Sequence, residues 1–138
     1  MPVEEADEYL RHMKKRNLAT VFLAAPTSTD DRLRRICAAC TGFVYAVSRT
    51  GVTGARTDLP EDAQKLVRRL RRYTKLPIVV GFGISKPEHF AGVGKYADAA
   101  AVGTAIVHTI EQNPGKEAQA VAELIAQVVG RRSSAVSP

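Results

Sequence analysis

Pro77-Ile78-Val79-Val80-Gly81-Phe82-Gly83-Ile84-Ser85-Lys86-Pro87-Glu88 reads as a strand, a glycine-bearing turn and the opening of a helix. Pro77–Val80 is short, apolar and β-branched, the composition of a strand. Ser85-Lys86-Pro87-Glu88 has the form of a capping box with proline near the first turn, so a helix is expected to follow to about Gly94. The same alternation continues outward in both directions. Upstream, the strand Gly42–Val47 precedes a helix Glu61–Tyr73 whose inner face is Ala63, Leu66, Val67 and Leu70. Before that, Ala19–Ala24 is an almost wholly apolar run suited to a strand buried on both faces. Pro26 ends it. Thr27, Ser28 and Thr29 offer N-caps for a helix Asp30–Ala39, where Asp30 and Asp31 suit the positive end of the dipole. Downstream, Asp98–Val102 is a fourth strand, followed by a helix Thr104–Gln112, a break at Asn113-Pro114-Gly115 and a helix Lys116–Val129 stopped by Gly130. An amphipathic helix Glu4–Lys15, ending near Asn17, stands in front. Residues 131–138 carry too little apolar surface to order themselves and read as a frayed tail behind a domain of residues 1–130.

Strands alternating with helices over short links require right-handed crossovers and a parallel sheet, as in doubly wound and barrel α/β folds. A complete eightfold barrel is typically about 250 residues. These 138 residues hold four βα units, half the number. The expected architecture is therefore an open four-stranded sheet or a half that closes against another half. An open half exposes two strand edges and the side chains meant for a barrel interior, so a homodimer or aggregation is expected in preference to a stable monomer.

The balance of 45% hydrophobic and 25% charged residues is that of a globular chain. Its apolar runs fall short of the roughly 20 residues that span a bilayer. The acidic N-terminus, Met1-Pro2-Val3-Glu4-Glu5-Ala6-Asp7, does not resemble a secretory signal, and a cytoplasmic location is expected. A formal net charge of +6 favours anionic partners without choosing among them. Arg68, Arg69, Arg71, Arg72 and Lys75, with Arg32, Arg34 and Arg35, lie opposite the apolar stripes and read as solvated outer faces. No aromatic residues interleave with them, so nucleic acid is not an expected partner. Cys37 and Cys40 fall at a helix C-terminus, where a thiolate gains nothing from the dipole, and they read as small buried residues. No other ligands lie near them in sequence, and no metal site is expected. His12, His89 and His108 are scattered over separate helices and read as structural or surface residues.

Two strand ends carry the chemistry. Gly81-Phe82-Gly83-Ile84-Ser85 and Gly103-Thr104 each lead directly into a helix. In barrels this arrangement after the last two strands commonly binds phosphate, because backbone N–H groups and the helix dipole point at the anion and glycine allows close approach. A third feature is the link Ser48–Pro60, longer than an ordinary βα loop, with Gly51 and Gly54 three residues apart as in a lid over an active site.

Phe43-Val44-Tyr45-Ala46-Val47-Ser48-Arg49-Thr50-Gly51-Val52-Thr53-Gly54-Ala55-Arg56 resembles the mobile-loop signature of tryptophan synthase alpha subunits. Ala25-Pro26-Thr27-Ser28-Thr29-Asp30, Gly81-Phe82-Gly83-Ile84-Ser85 and Pro2-Val3-Glu4-Glu5 match further segments of the family in order, so nearly the whole chain resembles the C-terminal half of its (β/α)8 TIM barrel. The resemblance implies a lyase that splits indole-3-glycerol phosphate into indole and glyceraldehyde 3-phosphate by a retro-aldol reaction, and passes indole to a beta subunit that carries pyridoxal phosphate. The alpha subunit itself is expected to need no cofactor. Carried over by position, Gly54, Gly83, Gly103 and Thr104 would bind the phosphate, Tyr45 and Phe82 would line the indole pocket, and Thr53 would help close the loop. Position 104 departs from the commoner serine but keeps the hydroxyl. The reaction needs carboxylates to move protons to and from the indole ring and the glycerol hydroxyl. The family's catalytic Glu and Asp belong to its N-terminal half, so no catalytic residue is expected among these 138 residues. Glu4 and Glu5 stand in the wrong segment, and Asp58 reads as a capping or solvated residue. Other phosphate-binding barrels share the glycine pair without the Gly51-Val52-Thr53-Gly54 lid. The alternative outside that class is a non-catalytic half-barrel that binds phosphate or a partner subunit.

Overall fold

The structure, a computed structural model, describes residues 1–47, 61–81 and 87–130. Four parallel strands, β1 (Phe22–Ala24), β2 (Val44–Val47), β3 (Ile78–Gly81) and β4 (Ala99–Ala101), form one sheet in sequence order. A 3-10 turn at Val3–Glu5 and helix α1 (Asp7–Lys15) come first. Helices α2 (Asp30–Ala39), α3 (Glu61–Leu70) and α4 (Pro87–Val93) make the crossovers, and α5 (Thr104–Gln112) and α6 (Glu117–Val129) follow β4. Every neighbouring pair of strands is parallel with its crossover helix between, which is the α/β arrangement of a partial barrel.

The core lies on one side of the sheet only. Phe22, Ala24, Val44, Ala46, Ile78 and Val80 are buried under Leu33, Ile36, Ala63, Leu66, Val67 and Leu70 of α2 and α3. The register then places Leu23, Tyr45, Val79 and Ala99 in one row on the opposite face, with Val47, Gly81 and Ala101 in the next. Leu23 is 63% exposed, which corrects the expectation that Ala19–Ala24 is buried on both faces. The period of two is present, but every residue in that run is apolar or small, so composition could not show which side is covered.

Several elements are shorter than the sequence suggested. β1 begins at Phe22 because Thr20 is taken up by a corner: its backbone N–H donates to Thr41 Oγ1 at 2.9 Å, its hydroxyl donates to the Ala39 carbonyl at 2.6 Å, and its own carbonyl accepts from Thr41 and Gly42. β4 begins at Ala99 because Asp98 is an anchor. Its Oδ2 accepts the Ile78 N–H at 2.7 Å and pairs with the Arg71 guanidinium, while its backbone N–H donates to the Ile78 carbonyl. α3 stops at Leu70 and gives way to turns that carry Tyr73, whose ring lies under the Arg34 guanidinium. The expected helix Glu4–Lys15 divides at Ala6, which is fully buried between the 3-10 turn and α1. The caps agree with the reading. Thr29 Oγ1 accepts from the Arg32 N–H, Asn17 takes a positive φ of 53° after α1, and Gly130 takes one of 73° after α6. Residues 131–138 lie outside the described residues.

Cys37 and Cys40 are both buried and unbridged, as expected. Cys40 Sγ accepts the Phe22 N–H at 3.2 Å, and burial pushes the Cys37 thiol up to about 11, the opposite of a redox-active thiolate.

The anchors have a pH signature. The Ile78 N–H and Arg71 hold the Asp98 carboxyl below its ordinary range, and Arg69 does the same for Asp30. A carboxylate whose folded pKa is depressed contributes stability above its unfolded value, near 3.8, and loses that contribution as pH falls through the folded value. Thermal stability is therefore expected to hold from neutral pH to about pH 5 and to fall below about pH 4. Asp98→Asn should lower the melting temperature at neutral pH and flatten that acid slope. With Asp98 partly exposed, the effect is expected at about 1 kcal/mol. An acid slope in the variant as steep as in the parent would remove Asp98 from this account.

Candidate functional site

All four strands are parallel and point their C-terminal ends to one edge of the sheet; among the nominated residues Tyr45 lies within β2, and Gly103 and Thr104 follow β4. Tyr45 and the pair Gly103 and Thr104 are among the described residues; Thr53, Gly54, Phe82 and Gly83 lie outside them. Tyr45 stands on the open face in the row of Leu23 and Val79. Its ring leans across to the next strand and covers Gly81, so closely that a Cβ at position 81 would fall within the ring. Glycine is needed there for space: the strand is regular and the neighbour is an aromatic ring.

Gly103 caps α5 at the end of β4 and donates no side-chain hydrogen bond to the helix, having none to give. Its carbonyl accepts from Ile106 and Val107, at 2.9 Å and 3.1 Å. The N–H groups of Thr104 and Ala105 precede the first intrahelical donor, the Ile106 N–H, and are left for solvent or an anion. Nothing lies within 4 Å of a Cβ built on Gly103, so the approach to this helix end is open among the described residues. Gly103 and Thr104 are both exposed.

On the β1 side of the same edge a groove of about 670 Å³ runs between β1, β2 and the turn that enters α2. Leu23 and Val47 of the open face form one wall, and Ala25, Thr27, Ser28 and Thr29 form another. Leu23 was not nominated by the sequence. Its signal was the parallel pairing with Tyr45, which a sequence does not display. Arg69 was also missed: it was assigned with Arg68, Arg71 and Arg72 to a solvated face, yet it folds back onto the turn after β1. The other expected outer-face cations do stand on the surface: Arg34 pairs with Asp31 of its own helix, Arg32 with Glu4 and Arg71 with Asp98. Among the described residues no three His, Cys, Asp or Glu side chains gather as a metal site would need, and no helix is long and apolar enough to cross a membrane.

A parallel sheet with a tyrosine on its open face, a glycine-capped helix at its last strand and a core on the helix side is half of a (β/α)8 barrel. The profile of the family described as tryptophan synthase alpha chain matches residues 1–136. The chain belongs to the tryptophan synthase alpha chain family. Curated relatives include the alpha chain of Methanocaldococcus jannaschii, 44% identical over 119 residues that make up 86% of this chain and 42% of that one. The alpha chain of Solibacter usitatus is 54% identical over 111 residues, 80% of this chain and 42% of that one. The chain thus spans less than half the length of these relatives. Among solved structures, the tryptophan synthase α2β2 complex of the hyperthermophile Pyrococcus furiosus superposes with a TM-score of 0.86 at 37% identity, covering 94% of this chain and 52% of that one. The Mycobacterium tuberculosis enzyme in an open form superposes with a TM-score of 0.76 at 30% identity, over 93% of this chain and 47% of that one. The four strands described here are accordingly the strands of one half of that family's TIM barrel, and the exposed face of the sheet is the barrel interior.

Proposed function

We propose that this chain supplies the phosphate-binding and indole-contacting half of a carbon-carbon lyase in tryptophan biosynthesis, the enzyme that cleaves indole-3-glycerol phosphate to indole and glyceraldehyde 3-phosphate. The observation that carries this reading is Gly103-Thr104 opening α5 at the end of β4, on the edge to which Tyr45 and Gly81 also belong. The phosphate would be held by the free N–H groups at the start of α5 together with Gly54 and Gly83. The indole ring would lie on the open face against Tyr45, with Phe82 beside it and Thr53 closing over it. No cofactor is required for this half of the chemistry. The beta subunit, and the pyridoxal phosphate expected in it, belong to the next step. The α2β2 complexes among the structural relatives support such a partnership.

Cleavage needs a group to protonate the indole ring and a base for the glycerol hydroxyl. The described open face carries no carboxylate for these tasks: its rows are Leu23, Tyr45, Val79, Ala99 and Val47, Gly81, Ala101. We infer that these 138 residues bind substrate without turning it over, and that catalytic carboxylates come from the other four βα units of a family barrel. Indole release from indole-3-glycerol phosphate is expected to be undetectable with the purified chain. It should appear when a polypeptide carrying those four units is added in equal amount. Turnover by the chain alone would place the catalytic groups within residues 1–138 and sink the division of labour argued here.

A further inference from the structure

We propose that Arg69 is a positioning residue for the ring end of the ligand groove, a role that rests on the reading of this sheet edge as the substrate site. Arg69 stands on α3, and its guanidinium reaches back about 40 residues in sequence to the turn between β1 and α2. Nη1 donates to the Pro26 carbonyl at 3.1 Å and Nη2 to the Ser28 carbonyl at 2.6 Å. Nε and Nη2 both donate to Asp30 Oδ1, at 2.9 Å and 2.6 Å. One planar group therefore gathers two carbonyls of a tight turn and the first carboxylate of the next helix. No lysine could do this, since an ammonium cannot hold a fork of acceptors in one plane.

The turn so gathered is the wall of the groove. Thr27, Ser28 and Thr29 line it together with Leu23 and Val47, with the charged Arg32 and Arg35 of α2 completing the lining, and Leu23 pairs in register with Tyr45. Among the described residues the turn's other hydrogen bonds are local: Ser28 N–H donates to the Ala25 carbonyl, Ala25 N–H donates to Ser28 Oγ, and Thr29 caps α2. These bonds set the local shape of the turn and do not tie it to the neighbouring unit. Arg69 does. Without it the turn keeps its own bonds but loses its fixed distance from the open face, so a flat aromatic ring meets a looser wall. The phosphate end is out of reach of this change, because Gly103 follows β4, three strand spacings or about 14 Å across the sheet from β1.

That separation provides the test. Indole and inorganic phosphate are titrated separately into the purified wild-type chain and into Arg69→Gln and Arg69→Lys. Indole affinity is expected to fall about tenfold in both variants, with phosphate affinity within about twofold of wild type. Amide exchange at Ser28 and Leu33 should quicken in the same variants while that at Leu66 stays slow. Unchanged indole affinity in Arg69→Gln overturns the proposal. A parallel fall for indole and phosphate also overturns it, since that is the mark of a general loss of structure, and so does restoration by lysine. A wild-type chain that binds neither probe defeats the reading of the site and the ligand part of this inference with it. Exchange at Ser28 then decides whether Arg69 holds the turn.

Discussion

Leu66→Ala is expected to cost about 3 kcal/mol of stability, within the roughly 2–5 kcal/mol that buried Leu→Ala changes remove. Leu66 is 1% exposed on the inner face of α3, in one buried cluster with Leu70, Val67, Val44 and Ile78. The deletion leaves a cavity that a crossover helix tied to a parallel sheet cannot close. Against a total of about 5–15 kcal/mol for an ordinary domain, that is a large fraction, and a sheet with one covered face stands toward the lower end. The same substitution on the other face should behave differently. Leu23→Ala removes a side chain that already stands in water, so the change should stay within about 0.5 kcal/mol. Chemical denaturation of the two variants measures both. Equal losses would mean that the open face is covered in solution, and the one-sided core described here would be wrong.

Gly81→Val is the second large effect. The added Cβ would enter the Tyr45 ring, and β3 cannot yield because it is paired on one side with β2 and on the other with β4. The ring must swing off the sheet or the strand must shift, at about 1–3 kcal/mol or more for overpacking at a paired strand. Indole binding is expected to fall below detection, since Tyr45 would leave the place proposed for the ring. Tyr45→Ala alone should cost less stability because the residue is only partly buried. Combined with Gly81→Val it should recover most of what the valine lost. A double-mutant cycle over these four proteins reads the coupling directly. Strict additivity would show that the glycine is there for some reason other than the ring.

The alternation of apolar strands with amphipathic helices was legible because each element repeats its own period over enough residues to be unambiguous. α2 and α5 begin and end where their caps and glycines place them, and the inner face of α3 is the one its spacing gives. The strand ends were less legible. Thr20 and Asp98 border or interrupt apolar strand-like runs, yet their hydrogen bonds go to the Thr41 corner and to Ile78 and Arg71, partners 20 or more residues away that local pattern does not name. The candidate site divides in the same way. Gly103 and Thr104 announced themselves by standing between an apolar run and a helix, and Tyr45 by the family motif around it. Leu23 and Arg69 gave no local sign, because one acquires its place through the β1–β2 register and the other through a turn on a different unit.

The sequence by itself determined the parallel α/β architecture, the four units, the family, and the presence of glycine-led helix starts at the strand ends, since all of these follow from residue types in local order. Tertiary structure alone decided which face of the sheet is covered, that Gly81 exists to admit a ring from the neighbouring strand, and that one arginine of a basic helix turns inward. The physical reason is that burial, close approach and a shared guanidinium are properties of pairs of segments, and a chain read along its length shows the segments one at a time.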